Sequence, residues 1–336
     1  MRISVIGAGS WGIALAGLLA DNGHEVVVWG RDSQKIADMQ MQRKSPDYLP
    51  GYDINPDVAF TNQLKAAAEH AETIVISVAS AGVRDIARKL AVLIDNNIIL
   101  ISASKGIEPE TLKTMTSVIE DEMPGCKTAA LSGPSHAEEV AAGLPATCVA
   151  ASRDDETARF VQDAFMNERF RVYTNADLLG VELGGALKNV IALAAGISDG
   201  MAFGDNAKAA LMTRGIAEIA RLGNAMGADL HTFSGLSGIG DLIVTCGSMY
   251  SRNRRAGILL GRGRTLPEAL AEVRMTVEGV NTARAAHMLA QLYNVEMPIT
   301  NEIHETLFNG KSPADAVAGL MGREKKTERE WEAGVL

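Results

Sequence analysis

The first glycines of the chain constrain its fold more than any other feature. The motif Gly7-Ala8-Gly9-Ser10-Trp11-Gly12 stands directly after a short apolar run, Ile3 to Ile6, and directly before a helical pattern. In a strand–turn–helix unit, the first glycine of GxGxxG makes the tight turn, the second lets the backbone approach a pyrophosphate, and the third lets helix and strand pack closely. We therefore predict that Gly7, Gly9 and Gly12 open a dinucleotide-binding domain, with the phosphates at the helix N-terminus.

Short apolar runs and helical patterns alternate through the first half of the chain. The predicted strands are 3–6, 25–29, 73–77, 98–102 and 127–131. Such alternation predicts a parallel sheet with right-handed crossovers. From about residue 177 onward, every pattern is helical. We predict an α/β fold: a doubly wound, mainly parallel, Rossmann-like dinucleotide-binding domain in 1–175, and an all-α substrate-binding and catalytic domain in 176–336.

The end of the second predicted strand bears on the choice of cofactor. Arg31 and Asp32 follow this strand, about 20 residues beyond the glycines. An arginine here can stack on adenine and pair with a 2′-phosphate, which favours NADP(H). If Arg31 instead points to solvent, Asp32 can bind the ribose 2′-hydroxyl of NAD(H), so use of both cofactors stays open.

Two further strand ends carry groups that suit an anion. Lys105 follows the strand through Ile101, and Gly133 and Ser135 follow the strand through Leu131. Ligands of open parallel sheets lie beyond the carboxyl ends of the strands, so we expect these residues at the binding crevice. His136 has no carboxylate at a fixed spacing, and a loop histidine is its simpler interpretation.

A lysine in the second half lies on an unusually small helix face. At helical period, Lys188 shares its face with Gly184, Gly185, Ala192 and Ala195. Small neighbours allow a close approach of backbone or ligand, and the resulting desolvation would lower the lysine pKa toward a value useful for proton transfer. A lysine that extends from a tight helix–helix contact toward solvent is the alternative interpretation.

A second polar segment follows this helix. Asp241, between a glycine-rich turn and an apolar run, is the type of carboxylate that is buried and paired, and a lysine is its natural partner. The cluster 251–255, with sequence SRNRR, offers fork-shaped donors to a phosphate. An exposed helix start would explain the same cluster without a ligand.

Composition excludes several classes of protein. The 32 basic and 41 acidic residues give 32 − 41 = −9, which argues against nucleic acid or an anionic membrane as the main partner. Three distant cysteines suit neither a disulfide framework nor a paired metal site, so we expect a reducing cytoplasm and no metal. The uncharged stretch 3–20 contains four glycines and splits into strand and helix, unlike a signal peptide. No later segment approaches the roughly 20 apolar residues that a membrane span requires, so we expect no membrane span.

Six blocks in order make the chain resemble the bacterial NAD(P)-dependent glycerol-3-phosphate dehydrogenases. These blocks are GAGSWG, SKGIE, SGPS, GALKNVIALAAGISDGMAFGDN, LSGIGDLIVTC and SRNRR, and the resemblance runs from Met1 to about Lys326. Two positions depart from the pattern. His136 stands where the family has an aromatic residue, and Ala79 replaces the customary proline.

The resemblance implies reversible reduction of dihydroxyacetone phosphate to sn-glycerol 3-phosphate, which supplies glycerophospholipid synthesis. It implies that Lys188 transfers the proton and that Asp241 is its charge partner, which favours the ammonium form. It further implies substrate contacts from Lys105, Gly133, Ser135, Lys188, Asp241, Ser251, Arg252 and Asn253. The implied cofactor contacts are Gly7, Gly9, Ser10, Trp11, Gly12, Arg31, Lys105, Ala137, Arg252 and Glu278.

Two other functions stay open from the sequence. A hydroxyacid dehydrogenase or ketopantoate reductase shares the glycine-rich first domain and a lysine proton donor, but Arg252 and its cluster favour a phosphorylated substrate. A non-catalytic NADP(H) sensor would not need Lys188 and Asp241. The sequence leaves the oligomeric state open, with a homodimer as one alternative.

Overall fold

The computed structural model describes residues 1–95, 97–325 and 327. The chain divides into two compact units, one of residues 1–105 and 113–182, the other of residues 106–112 and those from 183 onward. The domain border after residue 175 stays a prediction.

The first unit is built on a large sheet. Within the described residues, the strands are β1 (Arg2–Ile6), β2 (Glu25–Trp29), β3 (Lys44–Ser45), β4 (Leu49–Asp53), β5 (Ala59–Thr61), β6 (Thr73–Ile76), β7 (Ile99–Ser102), β8 (Lys127–Ser132), β9 (Ala146–Ala151) and β10 (Phe170–Asn175). Eight of them form one sheet in the order β10-β9-β8-β7-β6-β1-β2-β5, and β3 pairs with β4 in a separate hairpin.

Helices cover both faces of this sheet. They are α1 (Ser10–Asp21), α2 (Ser33–Gln42), α3 (Leu64–His70), α4 (Val83–Ala91), α5 (Met115–Glu122), α6 (Ala137–Ala141) and α7 (Asp155–Phe165). One core cluster contains Val5 with Ile13 of α1, and a second contains Ile6 with Leu90 of α4. Since successive residues of a strand point to opposite faces, these clusters lie on the two sides of β1. The predicted doubly wound sheet is confirmed.

The large sheet is mainly, but not entirely, parallel. Every pair in the large sheet is parallel except β8 with β9, which is antiparallel. Neither β9 nor β10 was predicted from the sequence. The segment of β9, ATCVAA, is rich in small residues, whereas β10 alternates buried and exposed positions and carried a readable signal.

The strand order fixes where a ligand can bind. β1 lies between β2 and β6, so the chain leaves β1 toward one side of the sheet and later returns to its other side. Ligands of such sheets bind outside the carboxyl ends of the strands at this switch point. Gly7 follows β1 directly, which places the glycine turn there.

From residue 183 onward, the described elements of the second unit are all helices. It contains most of α8 (Leu178–Gly200), then α9 (Gly204–Ala225), α10 (Leu230–Phe233), a π-helical turn (Leu236–Gly240), α11 (Asp241–Gly247), α12 (Arg252–Gly261), α13 (Leu266–Val273), α14 (Glu278–Leu292), α15 (Pro298–Phe308) and α16 (Pro313–Met321). The end of the predicted all-α domain, 328–336, lies outside the described residues.

The central helix α8 corrects one expectation. Among the described helices, α8 alone is long and apolar enough to cross a membrane by length and composition, with a mean hydropathy of 1.5. The expectation that no later segment approaches this length was therefore wrong. However, 94% of its apolar window is buried inside the protein, which is the environment of a core helix.

Candidate active site

The glycine turn after β1 has the geometry of a phosphate-binding turn. Gly7 has φ +128°, and a Cβ there would collide with the carbonyl of Ser77. A Cβ on Gly12 would collide with the carbonyl of Gly7. A Cβ on Gly9, in contrast, would meet no described atom within 4 Å. Two glycines are thus required by the fold, and the third leaves open space at the start of α1, where a pyrophosphate fits.

Ser10 and Trp11 continue this turn into α1. The Ser10 hydroxyl donates a hydrogen bond to the carbonyl of Tyr48 at 2.6 Å. The indole nitrogen of Trp11 is buried, and no described atom accepts its proton. A buried donor without an acceptor is uncommon in native proteins and fits a site that a polar ligand completes.

At the end of β2, Arg31 and Asp32 have different surroundings. Arg31 is exposed. The carboxylate of Asp32 caps α2, since it accepts the backbone N–H groups of Gln34 and Lys35, both at 3.1 Å. Asp32 therefore already has the function that acidic N-cap residues commonly have.

The anion-binding residues predicted at β7 and β8 come together. The Lys105 ammonium donates to the carbonyl of Gly133 at 3.0 Å, and the Ser135 hydroxyl donates to the same oxygen at 3.0 Å. Gly133 has φ +126°, and a Cβ there would lie 3.1 Å from the Cα of Cys148 in β9. Ala137, 8% exposed, begins the short helix α6 immediately afterward.

In the second unit, Lys188 of α8 and Asp241 of α11 form a buried ion pair. Their side chains are 7% and 1% exposed. The Lys188 ammonium also donates to the hydroxyl of Thr245 at 2.8 Å, and this hydroxyl donates to the backbone carbonyl of Asp241 at 2.6 Å. The ammonium is thus held by two groups that lie one helical turn apart on α11.

Small residues on α8 allow this contact. A Cβ on Gly184 would lie 2.5 Å from the carbonyl of Ser237, in the π-helical turn that precedes Asp241. The surface that approaches the small face of α8 is therefore the backbone that leads into α11. The alternative of a lysine extending to solvent does not apply, since Lys188 is 6% exposed as a whole residue.

Two buried asparagines connect α8 to α12 and α14. The Asn253 amide donates to the side-chain oxygen of Asn189 at 2.9 Å. The Asn253 side-chain oxygen accepts the backbone N–H of Gly279 at 2.8 Å. Gly279 follows Glu278, the first residue of α14, so Asn253 fixes the backbone next to Glu278.

Four glycines bring α8 and α12 into backbone contact. A Cβ on Gly196 would collide with the carbonyl of Arg254, and a Cβ on Gly257 would collide with the carbonyl of Leu193. Gly200 and Gly261 repeat this relationship one turn further along both helices. We call these four residues the interlocked glycines.

The cluster 251–255 at the start of α12 divides into residues with different surroundings. Ser251 is 4% exposed, and its hydroxyl caps α12 by accepting the backbone N–H of Arg254 at 3.2 Å. The Arg254 guanidinium donates to the carboxylate of Asp199 at 2.7 Å, which makes it a structural ion pair. Arg252 is half-buried at the first position of the helix.

Sequence reasoning missed the contribution of Thr245. Asp241 and Thr245 are four residues apart, a spacing that places both on one face of a predicted helix and that could have indicated this role.

The fixed ammonium of Lys188 can donate a proton to an oxygen that gains negative charge. Among the described residues, no group of three or more His, Cys, Asp or Glu side chains could hold a metal ion.

Two models of one protein family match the chain. The N-terminal family model of NAD-dependent glycerol-3-phosphate dehydrogenase matches residues 2–158, and its C-terminal model matches residues 177–318. Together they cover most of the chain.

Curated relatives and a solved structure extend the comparison. Glycerol-3-phosphate dehydrogenase (NAD(P)+) of Thermoanaerobacter sp. is 54% identical over 328 residues, 98% of this chain and 99% of the relative. The Fusobacterium nucleatum relative of the same name is 51% identical over 330 residues, 98% of each chain. The crystal structure of glycerol-3-phosphate dehydrogenase from Coxiella burnetii superposes with a TM-score of 0.92 at 38% identity, over 96% of this chain and 98% of that chain.

Proposed function

Because the chain belongs to the NAD-dependent glycerol-3-phosphate dehydrogenase family, we propose that its first unit binds the dinucleotide and its second unit supplies the proton for reduction of the substrate. The activity is the NAD(P)-dependent interconversion of dihydroxyacetone phosphate and sn-glycerol 3-phosphate. The buried contact of Lys188 with Asp241 and Thr245 is the observation that carries the assignment of the proton donor.

The glycine turn is the proposed pyrophosphate site. Gly9 leaves the space, and the N-terminal N–H groups of α1 supply donors. When bound, the nicotinamide supplies the hydride for reduction and accepts it in the reverse direction. The other proposed cofactor contacts are Gly7, Gly12, Ser10, Trp11, Arg31, Lys105, Ala137, Arg252 and Glu278.

We infer a preference for NADP(H) over NAD(H). Arg31 is exposed at the end of β2, where a guanidinium can pair with a 2′-phosphate. The competing assignment gives the ribose hydroxyl to Asp32, whose carboxylate caps α2. This capping supports the assignment to Arg31.

Lys188 performs the acid–base step in this proposal. Its ammonium polarises the substrate carbonyl and donates a proton to the oxygen as the alkoxide develops, and it accepts the proton in the reverse reaction. Asp241 balances the charge of the ammonium, and Thr245 restrains its position.

The phosphate of the substrate is assigned to cationic and polar groups. Arg252 is the proposed principal contact, and Ser251, Asn253, Lys105, Gly133 and Ser135 are the other proposed contacts. Binding of a non-reacting phosphate orients the carbonyl carbon without joining the chemistry. We further propose a cytoplasmic enzyme that supplies glycerophospholipid synthesis, which is consistent with three free cysteines.

The test is NADPH oxidation followed by absorbance, with dihydroxyacetone phosphate and, separately, with ketopantoate. We expect oxidation with the phosphorylated ketone only, and faster oxidation of NADPH than of NADH. Oxidation with ketopantoate alone would contradict the substrate assignment, and binding without oxidation would indicate an NADP(H) sensor.

A further inference from the structure

One lysine near the proposed cofactor site, Lys35, has no role in the function described so far. Lys35 lies in the first turn of α2, four residues after Arg31. Its ammonium donates to the carboxylate of Asp47 at 2.7 Å and lies 5.2 Å from the centre of the Tyr48 ring. Asp47 and Tyr48 belong to the turn that joins β3 to β4. We call residues 44–53 the cofactor hairpin.

Tyr48 connects this lysine to the glycine turn. The carbonyl of Tyr48 accepts the Ser10 hydroxyl at 2.6 Å, while the Tyr48 ring lies under the Lys35 ammonium. One residue therefore contacts both the proposed pyrophosphate turn and the first turn of α2. Leu49, 2% exposed, anchors the hairpin in the core immediately afterward.

The ion pair of Lys35 and Asp47 is easily exchanged. Their side chains are 43% and 66% exposed, so solvent screens the attraction and the pair is weak. A phosphate monoester carries up to two negative charges and competes well with a single carboxylate for an ammonium. The ammonium can thus exchange Asp47 for a phosphate at little cost.

The position of Lys35 on the chain identifies which phosphate it meets. Arg31 directly precedes Asp32, the N-cap residue of α2, and Lys35 is the third residue of that helix. The backbone N–H of Lys35 donates to the carboxylate of Asp32 at 3.1 Å. Both cations therefore lie at the end of β2, where dinucleotide-binding sheets receive the adenosine ribose. We propose that Lys35 is a second, specificity-determining contact for the 2′-phosphate of NADP(H), and that Asp47 competes with this phosphate for the ammonium. This inference rests on the proposed preference for NADP(H).

The test measures dissociation constants of NADPH and NADH at low salt for the wild type and four variants. Lys35→Gln should raise the Kd of NADPH about fivefold, as expected for an exposed charge contact, and leave NADH within about twofold. Asp47→Asn should lower the Kd of NADPH about two- to threefold, because a competing carboxylate is removed. Arg31→Ala reports on the proposed function independently.

Lys44→Gln is the matched control. Lys44 lies in the same hairpin and pairs with Asp53 at 3.6 Å, with both side chains mostly exposed. This variant should leave both dissociation constants unchanged, and the effect of Lys35→Gln should shrink at high salt.

The outcomes separate the two proposals. An equal effect of Lys35→Gln on NADPH and NADH, or no effect, overturns the role of Lys35. If Arg31→Ala still weakens NADPH selectively in that case, the proposed function stands. If neither variant changes the ratio of the two constants, or if the wild type binds both cofactors equally, the assignment of the 2′-phosphate to this region is wrong as a whole.

Discussion

Lys188 and Asp241 neutralise each other in an interior that excludes almost all water, with side chains 7% and 1% exposed. A buried charge is tolerated when it is paired and hydrogen-bonded, and removal of one partner leaves the other uncompensated. Activity and folding stability therefore both depend on this ion pair, and experiments on it must separate the effect on activity from the effect on stability.

Replacement of Lys188 by methionine should reduce kcat/KM by about 10²- to 10⁴-fold, because the reaction loses its proton donor. NADPH affinity should change little, since Lys188 is not among the proposed cofactor contacts. The unpaired carboxylate of Asp241 should also lower the free energy of unfolding by about 3–5 kcal/mol. Steady-state kinetics and urea unfolding measure the two effects.

The double variant Lys188→Met/Asp241→Asn controls for the stability loss. It removes both charges, so it should recover much of the unfolding free energy and none of the activity. Near-normal turnover by either variant would remove Lys188 from the mechanism.

Thr245→Val should lower kcat about tenfold with little change in KM, because the lysine loses the hydroxyl that restrains its ammonium. The cost in stability should be about 1 kcal/mol for a buried hydrogen bond. Thr245→Ser keeps the hydroxyl and should restore most of the rate. Equal activity of the valine and serine variants would show that the hydroxyl does not position Lys188.

Alanine at Gly9 should weaken cofactor binding, whereas alanine at Gly12 should lower the stability of the fold. Gly9 has φ −85° and space for a Cβ, so Gly9→Ala should fold normally and bind NADPH at least tenfold more weakly, about 1.4 kcal/mol. Gly12→Ala would place a Cβ on the carbonyl of Gly7 and should destabilise the first unit. Thermal melting and NADPH titration distinguish the two outcomes. Tight NADPH binding by Gly9→Ala would argue against a pyrophosphate at this turn.

Stability should depend on pH through Glu218. Its carboxylate accepts the backbone N–H groups of Ile299 and Thr300 at 2.7 and 3.2 Å, at the start of α15. Burial raises the pKa of Glu218 from 4.5 to about 7 despite these bonds. The folded state therefore binds more protons than the unfolded state between these values, and this contribution to stability is lost as pH rises through about 7.

Urea unfolding of the wild type and Glu218→Gln between pH 5 and pH 8 tests this sign. The unfolding free energy of the wild type, relative to the variant, should fall as pH rises, at up to about 1.4 kcal/mol per pH unit. A difference that is constant with pH would mean that Glu218 does not titrate in this range.

The sequence was most informative at positions where the structure tolerates only one type of residue. Gly7 and Gly12 are required by a positive φ and by a close backbone contact, so a local motif was sufficient to predict the turn. The cost of burying a carboxylate alone predicted a lysine partner for Asp241, and the family resemblance implied that this partner is Lys188, although 53 residues separate the two.

Contacts that depend on tertiary packing were not readable. Arg254 belongs to a cluster that suits a phosphate, but its guanidinium pairs with Asp199 of α8 instead. This pair forms because the interlocked glycines bring α12 against α8. The connection from Asn189 through Asn253 to Gly279 joins three helices and has no local signature. The cofactor hairpin was missed because its strands have few apolar residues, with mostly exposed positions in β4.

The interlocked glycines also limit how this enzyme can be changed by mutation. Because the backbones of α8 and α12 touch, any larger residue at Gly196, Gly200, Gly257 or Gly261 would push the helices apart and move Asn189 away from Asn253. Directed evolution toward other phosphorylated ketones should therefore keep these four positions fixed in its libraries.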